Sequence, residues 1–244
     1  MRPRAAHYRL TAMKSRLRFG ALLALVAIAA AGAVEARGKD KATVEHRYPG
    51  LEKARERDEP EGRAEWQKPG RVLLLLALAE GDTVADLGAG TGYMVPLLSG
   101  AVGEVGQVYA VDIEQELVDH AASRPDLPYA NVVAHLAEPD DPKLPAGELD
   151  LILIVNTWHH IDDRRDYLKK IVAALAPGGR VAVIDWVAEE TEIGPPMKHR
   201  LSKAKVIAEF ERELALAGDS VLLPHQYFLL FTRQEDLEPR PIEH

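Results

Sequence analysis

The chain has 244 residues, of which 47% are hydrophobic and 28% charged, enough apolar material for one globular domain with additional segments. It contains no cysteine, which excludes disulfide bonds and thiolate metal sites. The formal net charge of −8 becomes about −13 without residues 1–36, because that segment holds six basic side chains and one acidic side chain. Such a charge repels phosphate backbones and argues against a nucleic-acid partner.

Residues 1–36 differ in composition from the rest of the chain. Six basic side chains precede the 16-residue uncharged run 19–34, and small residues then lead to Ala33 and Ala36. This order is typical of a secretory signal peptide, and the run is shorter than the roughly 20 residues that span a membrane. We expect cleavage after Ala33 or Ala36 and export to the periplasm or to the outer face of the cytoplasmic membrane. The alternatives are an uncleaved anchor, which would be the chain's membrane contact, and a cytoplasmic protein.

Residues 37–65 form a charged lead-in to the domain proper, which we place at residues 66–244. One interpretation is a solvated helix or tether. The other is a segment that folds over a ligand site, with Trp66 as its anchor. Pro69 and Gly70 then begin a helix predicted for residues 71–79.

The stretch from Thr83 to Tyr93, TVADLGAGTGY, predicts a strand that runs into a glycine-rich turn. Asp86 lies near the end of the strand, and glycines at 88, 90 and 92 let the backbone turn sharply with no Cβ between it and a ligand. The apolar residues from Met94 onward indicate a helix whose unpaired N–H groups face the same ligand. A nucleotide-type site is therefore expected here.

The glycine spacing separates several kinds of nucleotide site. A dinucleotide fingerprint requires G-x-G-x-x-G, whereas here the third glycine comes one residue early and Tyr93 stands at the place of that glycine. A P-loop requires Gly-Lys-Ser/Thr after the turn, and none follows. The spacing thus disfavours a nicotinamide-dependent oxidoreductase.

A second strand, residues 107–111, ends at Asp112. A carboxylate at the tip of this strand is placed to accept hydrogen bonds from both hydroxyls of a ribose. A helix over residues 114–123 and a third strand over residues 131–136 follow. The acidic, proline-containing loop 138–142 comes next.

Residues 149–156 are nearly continuous in aliphatic side chains, which indicates a central parallel strand, and the sequence Asn156-Thr157-Trp158-His159-His160 closes it. A helix is predicted over residues 165–176, then the turn Pro-Gly-Gly-Arg and a strand over residues 181–186. We expect a loop over residues 188–197, a helix over about 202–217, and a hairpin between residues 220 and 232. The alternation predicts an α/β fold with a doubly wound, mostly parallel seven-stranded sheet that closes with a C-terminal antiparallel hairpin.

Four motifs occur in order over about residues 66–233: DLGAGTG, the strand-end Asp112, LDLILIVNTWHH, and PGGR followed by VAVIDW. This set resembles the class I, Rossmann-like S-adenosylmethionine-dependent methyltransferases, and within them the small-molecule enzymes of quinone biosynthesis. The resemblance implies that the cofactor is S-adenosylmethionine, that the glycine loop packs on its methionine part, and that N-terminal segments close over it. It also implies an adenine-contacting acid in the loop 138–142, either Asp140 or Asp141. The predicted cofactor residues are Asp86, Gly88, Ala89, Gly90, Gly92, Tyr93, Asp112, Ile113, Asp140, Asp141 and Asn156.

Methyl transfer from a sulfonium is an in-line displacement, so few residues need to be catalytic beyond a base for an acceptor proton. His159, His160 and His199 are the candidates, because histidine titrates near neutrality. Each could instead be a hydrogen-bonded wall residue. The run His159 to Asp163 could hold a metal ion, but adjacent side chains usually diverge, so no metal site is predicted. Three aromatic residues could line an apolar acceptor pocket or belong to the core: Trp158, Trp186 and Tyr227.

The sequence therefore predicts an S-adenosylmethionine-dependent methyltransferase that acts on a small-molecule acceptor. The alternative is an exported, catalytically silent cofactor-binding or interaction protein on the same fold. The intact glycine loop and Asp112 favour the enzyme.

Overall fold

A computed structural model describes residues 48–237. The predicted signal segment, residues 1–36, and its cleavage sites lie outside these residues. Within the described range, no helix combines the length and the apolar character needed to cross a membrane.

A seven-stranded sheet forms the centre of the fold, with the strand order β3-β2-β1-β4-β5-β7-β6. Strands β1 to β5 pair in parallel, whereas β7 runs antiparallel to both of its neighbours. The predicted fold class is confirmed. The strands are β1 (Thr83–Leu87), β2 (Gln107–Asp112), β3 (Val132–Leu136), β4 (Leu149–Val155), β5 (Leu175–Trp186), β6 (Ala215–Ser220) and β7 (Gln226–Thr232).

Helices cover both faces of the sheet, because β4 and the later part of β5 are apolar on both sides. The helices are α1 (Leu51–Asp58), α2 (Arg63–Gln67), α3 (Pro69–Leu76), α4 (Val95–Val102), α5 (Gln115–Ala122), α6 (Arg164–Ala174) and α7 (Lys203–Phe210). Helices α6 and α7 pack their apolar residues on one face, with Phe210 and Ile171 fully buried. Helices α3 and α4 pack on the other, with Leu76 and Leu98 fully buried.

The structure corrects three predicted boundaries. The predicted helix 202–217 ends at Phe210, and residues 215–220 form strand β6, because backbone pairing with β7 overrides the helix propensity of that alanine- and leucine-rich segment. The first strand of the predicted hairpin is therefore β6, and residues 221–225 connect it to β7. The predicted helix 71–79 ends at Leu76, because Ala77 adopts a left-handed conformation with φ 46°. Strand β5 begins at Leu175, six residues before the predicted start.

All the parallel strands end at the same edge of the sheet. Ligands bind at this carboxyl edge in open α/β sheets. The glycine loop, Asp112, Asn156 and the segment after β5 all lie there, since each directly follows one of these strands. The fold therefore brings most of the predicted site residues to one place.

Candidate functional site

The glycine loop between β1 and α4 requires its glycines. Gly88, Gly90 and Gly92 have φ values of 76°, 55° and 79°, in the left-handed region that other residues rarely adopt. A side chain at Gly88 would collide with Thr157, and one at Gly92 would lie 2.7 Å from Cβ of Ala121. The loop is therefore packed tightly on both sides, which fixes its backbone for close contact with a ligand.

Asp112, at the end of β2, is held by three backbone N–H groups. Gly90 N donates to Oδ2 at 2.9 Å, while Ile113 N and Glu114 N donate to Oδ1 at 2.8 and 3.2 Å. A carboxylate has about four acceptor positions, so this arrangement leaves room for about one further hydrogen bond. In this conformation Asp112 can accept from one ribose hydroxyl; accepting from both, as the sequence predicts, would require a backbone donor to be released. Burial raises the pKa of Asp112, and the three N–H groups oppose that shift.

Asp86 is a buried carboxyl group directly beneath the glycine loop. Only 2% of its surface is exposed. Burial raises its pKa to about 7, the positive charge of Arg63 opposes this, and the negative charge of Asp112 adds to it. A buried anion in this position favours a cationic ligand group, and the sulfonium and ammonium of S-adenosylmethionine are cations.

The described part of the lead-in segment, residues 48–65, folds over the glycine loop. The carboxylate of Asp58, at the end of α1, lies so close to Gly90 that a Cβ there would collide with it. The guanidinium of Arg63, on α2, stacks 3.9 Å from the centre of the Tyr93 ring. Glu59 pairs with Arg124 at 2.7 Å, and Arg124 also donates to the carbonyl of Thr91. Of the two interpretations of this segment, the structure supports closure over the site.

Helix α2 also contributes an orphaned polar atom. Gln67 is fully buried and its Oε1 accepts from Arg63, but its Nε2 donates to no atom within residues 48–237. A buried amide donor without a partner is costly, and an anionic ligand group such as a carboxylate would satisfy it. The glycine loop, Asp86 and Asp112 by themselves give a set of groups that fits the methionine part and the ribose of S-adenosylmethionine.

The remaining predicted cofactor residues also lie at the carboxyl edge. Ala89 donates its N–H to Val111 O at 2.8 Å. Ile113 is 38% exposed beside Asp112, where an apolar side chain could cover an adenine. Asn156 has a φ of 54°, and its Oδ1 accepts from Gln226 Nε2 at 2.6 Å.

In the loop after β3, the two candidate acids differ. Asp141 accepts from Lys143 N at 2.8 Å and pairs with Lys170 at 3.2 Å, and these groups hold its pKa below the usual value. The side chain of Asp140 is exposed, and its backbone carbonyl accepts from Lys170. Asp141 is thus already engaged within the protein, which favours Asp140 as the adenine contact; its role remains a prediction.

A buried histidine–aspartate pair lies at the ends of β4 and β5. Nδ1 of His159 donates to the carboxylate of Asp185, with both oxygens 2.9 Å away. Asp185 is completely buried and also accepts from the backbone N–H of Trp186. Because the proton on Nδ1 is engaged in the hydrogen bond to the carboxylate, Nε2 is the nitrogen that can accept a proton from another group. This is the geometry of an oriented general base.

The other two candidate histidines have a different setting. The ring of His160 packs 4.1 Å from that of His159, whereas His199 is exposed on a short turn after β5. Among residues 48–237, no group of three or more His, Asp or Glu side chains could hold a metal ion. Two of the three candidate aromatic residues belong to the core: Trp158 packs on Phe210, and Tyr227 is 3% exposed.

Sequence reasoning missed Arg63, Gln67 and the catalytic potential of Asp185. Arg63 stands among many charged residues, and nothing in the sequence separates it from its neighbours. Asp185 did carry a signal, because a carboxylate in the apolar run VAVIDW calls for a buried partner.

The fold and site define a Rossmann-like protein with a cofactor site at the carboxyl edge of its sheet. The family model described as a methyltransferase domain matches residues 84–179, which contain the glycine loop, Asp112 and His159. A solved S-adenosylmethionine-dependent methyltransferase from Aquifex aeolicus is 29% identical, with a TM-score of 0.69, and the match covers 76% of this chain and 98% of that one. Over the matched part of its length the chain is thus similar to S-adenosylmethionine-dependent methyltransferases and shares their Rossmann-like fold, and this similarity indicates S-adenosylmethionine as the cofactor.

Curated relatives share part of this domain. The ubiquinone/menaquinone biosynthesis C-methyltransferase of Psychromonas ingrahamii is 30% identical over 111 residues, which are 45% of this chain and 44% of that protein. The 27-O-demethylrifamycin SV methyltransferase of Amycolatopsis mediterranei is 26% identical over 175 residues, 71% of this chain and 60% of that protein. The chain thus spans less than half of the quinone-biosynthesis relative.

Proposed function

We propose that this protein transfers a methyl group from S-adenosylmethionine to a small-molecule acceptor. The observation that carries the proposal is the glycine loop with Asp86 beneath it and Asp112 bonded to Gly90, a set of groups that fits this cofactor. The relatives that act in quinone biosynthesis and on a rifamycin support a small organic acceptor.

We further propose that His159 is the general base and that Asp185 orients it. When bound, the cofactor would supply the methyl group from its positive sulfur, and breaking of that S–C bond would release the neutral thioether S-adenosylhomocysteine. His159 Nε2 takes the proton from the acceptor atom as that atom gains the methyl carbon, and Asp185 stabilises the imidazolium that forms. The acceptor is therefore a molecule with a removable proton on oxygen, nitrogen or an activated carbon.

Export of the protein is a separate proposal that rests on the sequence of residues 1–36 alone. If it holds, the cofactor must reach the domain outside the cytosol. The catalytically silent alternative is an outcome of the experiments below.

Calorimetry of the full chain with S-adenosylmethionine tests the cofactor site, and transfer of a labelled methyl group to a panel of phenols, quinols and amines tests the activity. We expect binding and transfer to at least one class of acceptor. Binding without transfer to any of them would support the silent alternative, and no binding would refute the proposal.

The three histidines can then be compared as glutamine variants. We expect His159→Gln to lower kcat by about 10²- to 10⁴-fold, the usual contribution of a general base. Asp185→Asn should lower kcat as well, because an amide can stabilise the wrong tautomer of His159 and cannot balance the charge of the imidazolium. A larger loss in His160→Gln or His199→Gln than in His159→Gln would show that the base is assigned to the wrong residue.

A further inference from the structure

The segment that follows β5, residues 187–199, has an unusual organisation, and we call it the post-β5 loop. It contains no strand and, as helical structure, only the 3-10 turn Met197–His199. The side chain of Arg200 donates hydrogen bonds to several polar groups of this loop. The guanidinium donates to the carbonyls of Val187, Glu189, Ile193 and Pro195 and to the hydroxyl of Thr191, at distances from 2.7 to 3.3 Å.

These bonds occupy all three guanidinium nitrogens of Arg200. Guanidinium carries five N–H donors in a fixed fork, and here the acceptors come from five different residues of one loop. The side chain is therefore committed to holding the loop, and little of its donor capacity remains for an anionic substrate. Its role is to set the conformation of the polypeptide around it.

The post-β5 loop packs against Trp186, the last residue of β5. Gly194 has a φ of 110°, and a Cβ there would lie 2.7 Å from Cε3 of the Trp186 ring. Trp186 also contacts Trp66 of α2, with ring centroids 5.1 Å apart. Trp186 thus joins the loop to the segment that covers the cofactor site.

Trp186 and the post-β5 loop lie next to the proposed catalytic pair His159 and Asp185. Trp186 directly follows Asp185, whose carboxylate orients His159 and accepts from the N–H of Trp186. The post-β5 loop therefore begins beside the proposed base, at the carboxyl edge where substrates bind. A displacement of the loop would alter the space next to His159.

The chemistry of the loop indicates what it accepts. Glu189, Glu190 and Glu192 are exposed and outnumber the exposed Lys198, so an anionic acceptor is repelled. Apolar side chains are also exposed there: Ile193 at 36% and Met197 at 43%.

We propose that Arg200 is a specificity-determining positioning residue: it holds the post-β5 loop as the wall of the methyl-acceptor site, and this wall selects uncharged, apolar acceptors. This inference rests on the proposed function, since it assumes that the site beside His159 receives the acceptor.

The test uses the full chain saturated with S-adenosylhomocysteine and two probes of the same ring system, 2-naphthol and 2-naphthoate, with binding followed by calorimetry. We expect 2-naphthol to bind the wild type and 2-naphthoate to bind at least about tenfold more weakly, because of the loop carboxylates. Arg200→Met should weaken 2-naphthol binding by about tenfold. Arg200→Lys should not restore it, because an ammonium cannot reach five acceptors in the geometry of the guanidinium fork.

A readout of the cofactor site separates positioning from general destabilisation. S-adenosylmethionine affinity should stay within about twofold of wild type in both Arg200 variants, because the guanidinium of Arg200 donates to the post-β5 loop and not to the glycine loop, Asp86 or Asp112. Arg212→Met, at an exposed arginine after α7, is the matched control and should leave both affinities unchanged. If Arg200→Met does not fold, Gly194→Ala provides the second test, because its methyl group must push the loop away from Trp186 and should weaken 2-naphthol selectively.

The outcomes are distinguishable. A wild type that does not bind S-adenosylmethionine refutes the proposed function itself. A wild type that binds the cofactor but prefers 2-naphthoate, or binds neither probe, overturns the assigned acceptor class. Arg200 and Gly194 variants that bind 2-naphthol as tightly as wild type, or lose cofactor and probe affinity to the same extent, overturn the role of Arg200.

Discussion

Asp86 should make cofactor affinity depend on pH near neutrality. Its pKa is raised to about 7 by burial, and a cationic ligand binds better to the ionised form. About one-tenth of Asp86 is ionised at pH 6 and about nine-tenths at pH 8. If only the ionised form binds, S-adenosylmethionine affinity rises roughly tenfold between these values, or about 1.4 kcal/mol.

Isothermal titration calorimetry at pH 6, 7 and 8 measures this effect, and variants identify its source. Asp86→Asn should bind more weakly at pH 8 and lose most of the rise. Arg63→Met should move the midpoint of the pH dependence of affinity to higher pH, because the charge of Arg63 opposes the rise in the pKa of Asp86. Asp112→Asn should move that midpoint to lower pH, because the charge of Asp112 adds to the rise. The ammonium group of S-adenosylmethionine titrates in the same way with every variant, so it does not affect the differences in pH dependence between variants. The reasoning is refuted if wild type and Asp86→Asn show the same pH dependence.

The same group should destabilise the protein without cofactor at high pH. The pKa of the folded state lies above that of the unfolded state, so the folded protein binds the proton more tightly and its stability falls as the pH rises from about 4 to about 7. A shift of about three units corresponds to an upper limit of about 4 kcal/mol. Urea unfolding should therefore show that the free energy of unfolding of Asp86→Asn increases relative to that of wild type as the pH rises from about 4 to about 7. Above pH 7 this difference should change little. A constant difference from pH 4 to pH 8 would contradict the assignment.

Three further predictions follow from the site and the sequence. Gly90→Val should abolish S-adenosylmethionine binding, because valine is disfavoured in the left-handed conformation and its side chain would collide with Asp58. The control Gly100→Ala, in α4, should bind the cofactor as wild type does. Equal affinities of Gly90→Val and wild type would show that the glycine loop is not the cofactor site. Asp112→Ala should weaken binding by about 1 to 3 kcal/mol through lost charge-assisted hydrogen bonds, and it should also lower the melting temperature because the N–H groups of Gly90, Ile113 and Glu114 lose their acceptor; an unchanged Kd would show that Asp112 does not contact the cofactor. Mass spectrometry of the protein from fractionated cells should find cleavage after Ala33 or Ala36, and an intact N-terminus in the soluble cytosolic fraction would exclude export.

The sequence predicts the conformation of the glycine loop and the position of the strand-end carboxylate, because backbone requirements leave a direct trace in it. Positive φ angles demand the three loop glycines, and a carboxylate at a strand end stands out from the apolar residues before it. The boundaries of β1 and the end of β2 match the prediction for the same reason.

Long-range contacts leave no such trace. Which of three histidines meets a carboxylate depends on the pairing of β4 with β5, and Asp185 lies 26 positions from His159. Arg63 and Arg200 are ordinary charged residues until the fold places them against Tyr93 and the post-β5 loop. Strand β6 was missed because its residues favour a helix, and only pairing with β7 makes them a strand.

The strand order has a consequence for how the acceptor specificity of this protein can change in evolution. The chain reverses direction across the sheet between β1 and β4, so the groups that hold the methyl donor come mainly from residues before 142. The proposed base and the Arg200 wall come from residues after 149. On these proposals the two substrates are handled by two pieces of chain, which meet along the pairing of β1 with β4 and at the Trp66–Trp186 contact. We expect a chimera that exchanges the second piece with that of a relative to keep its donor and to acquire the relative's acceptor.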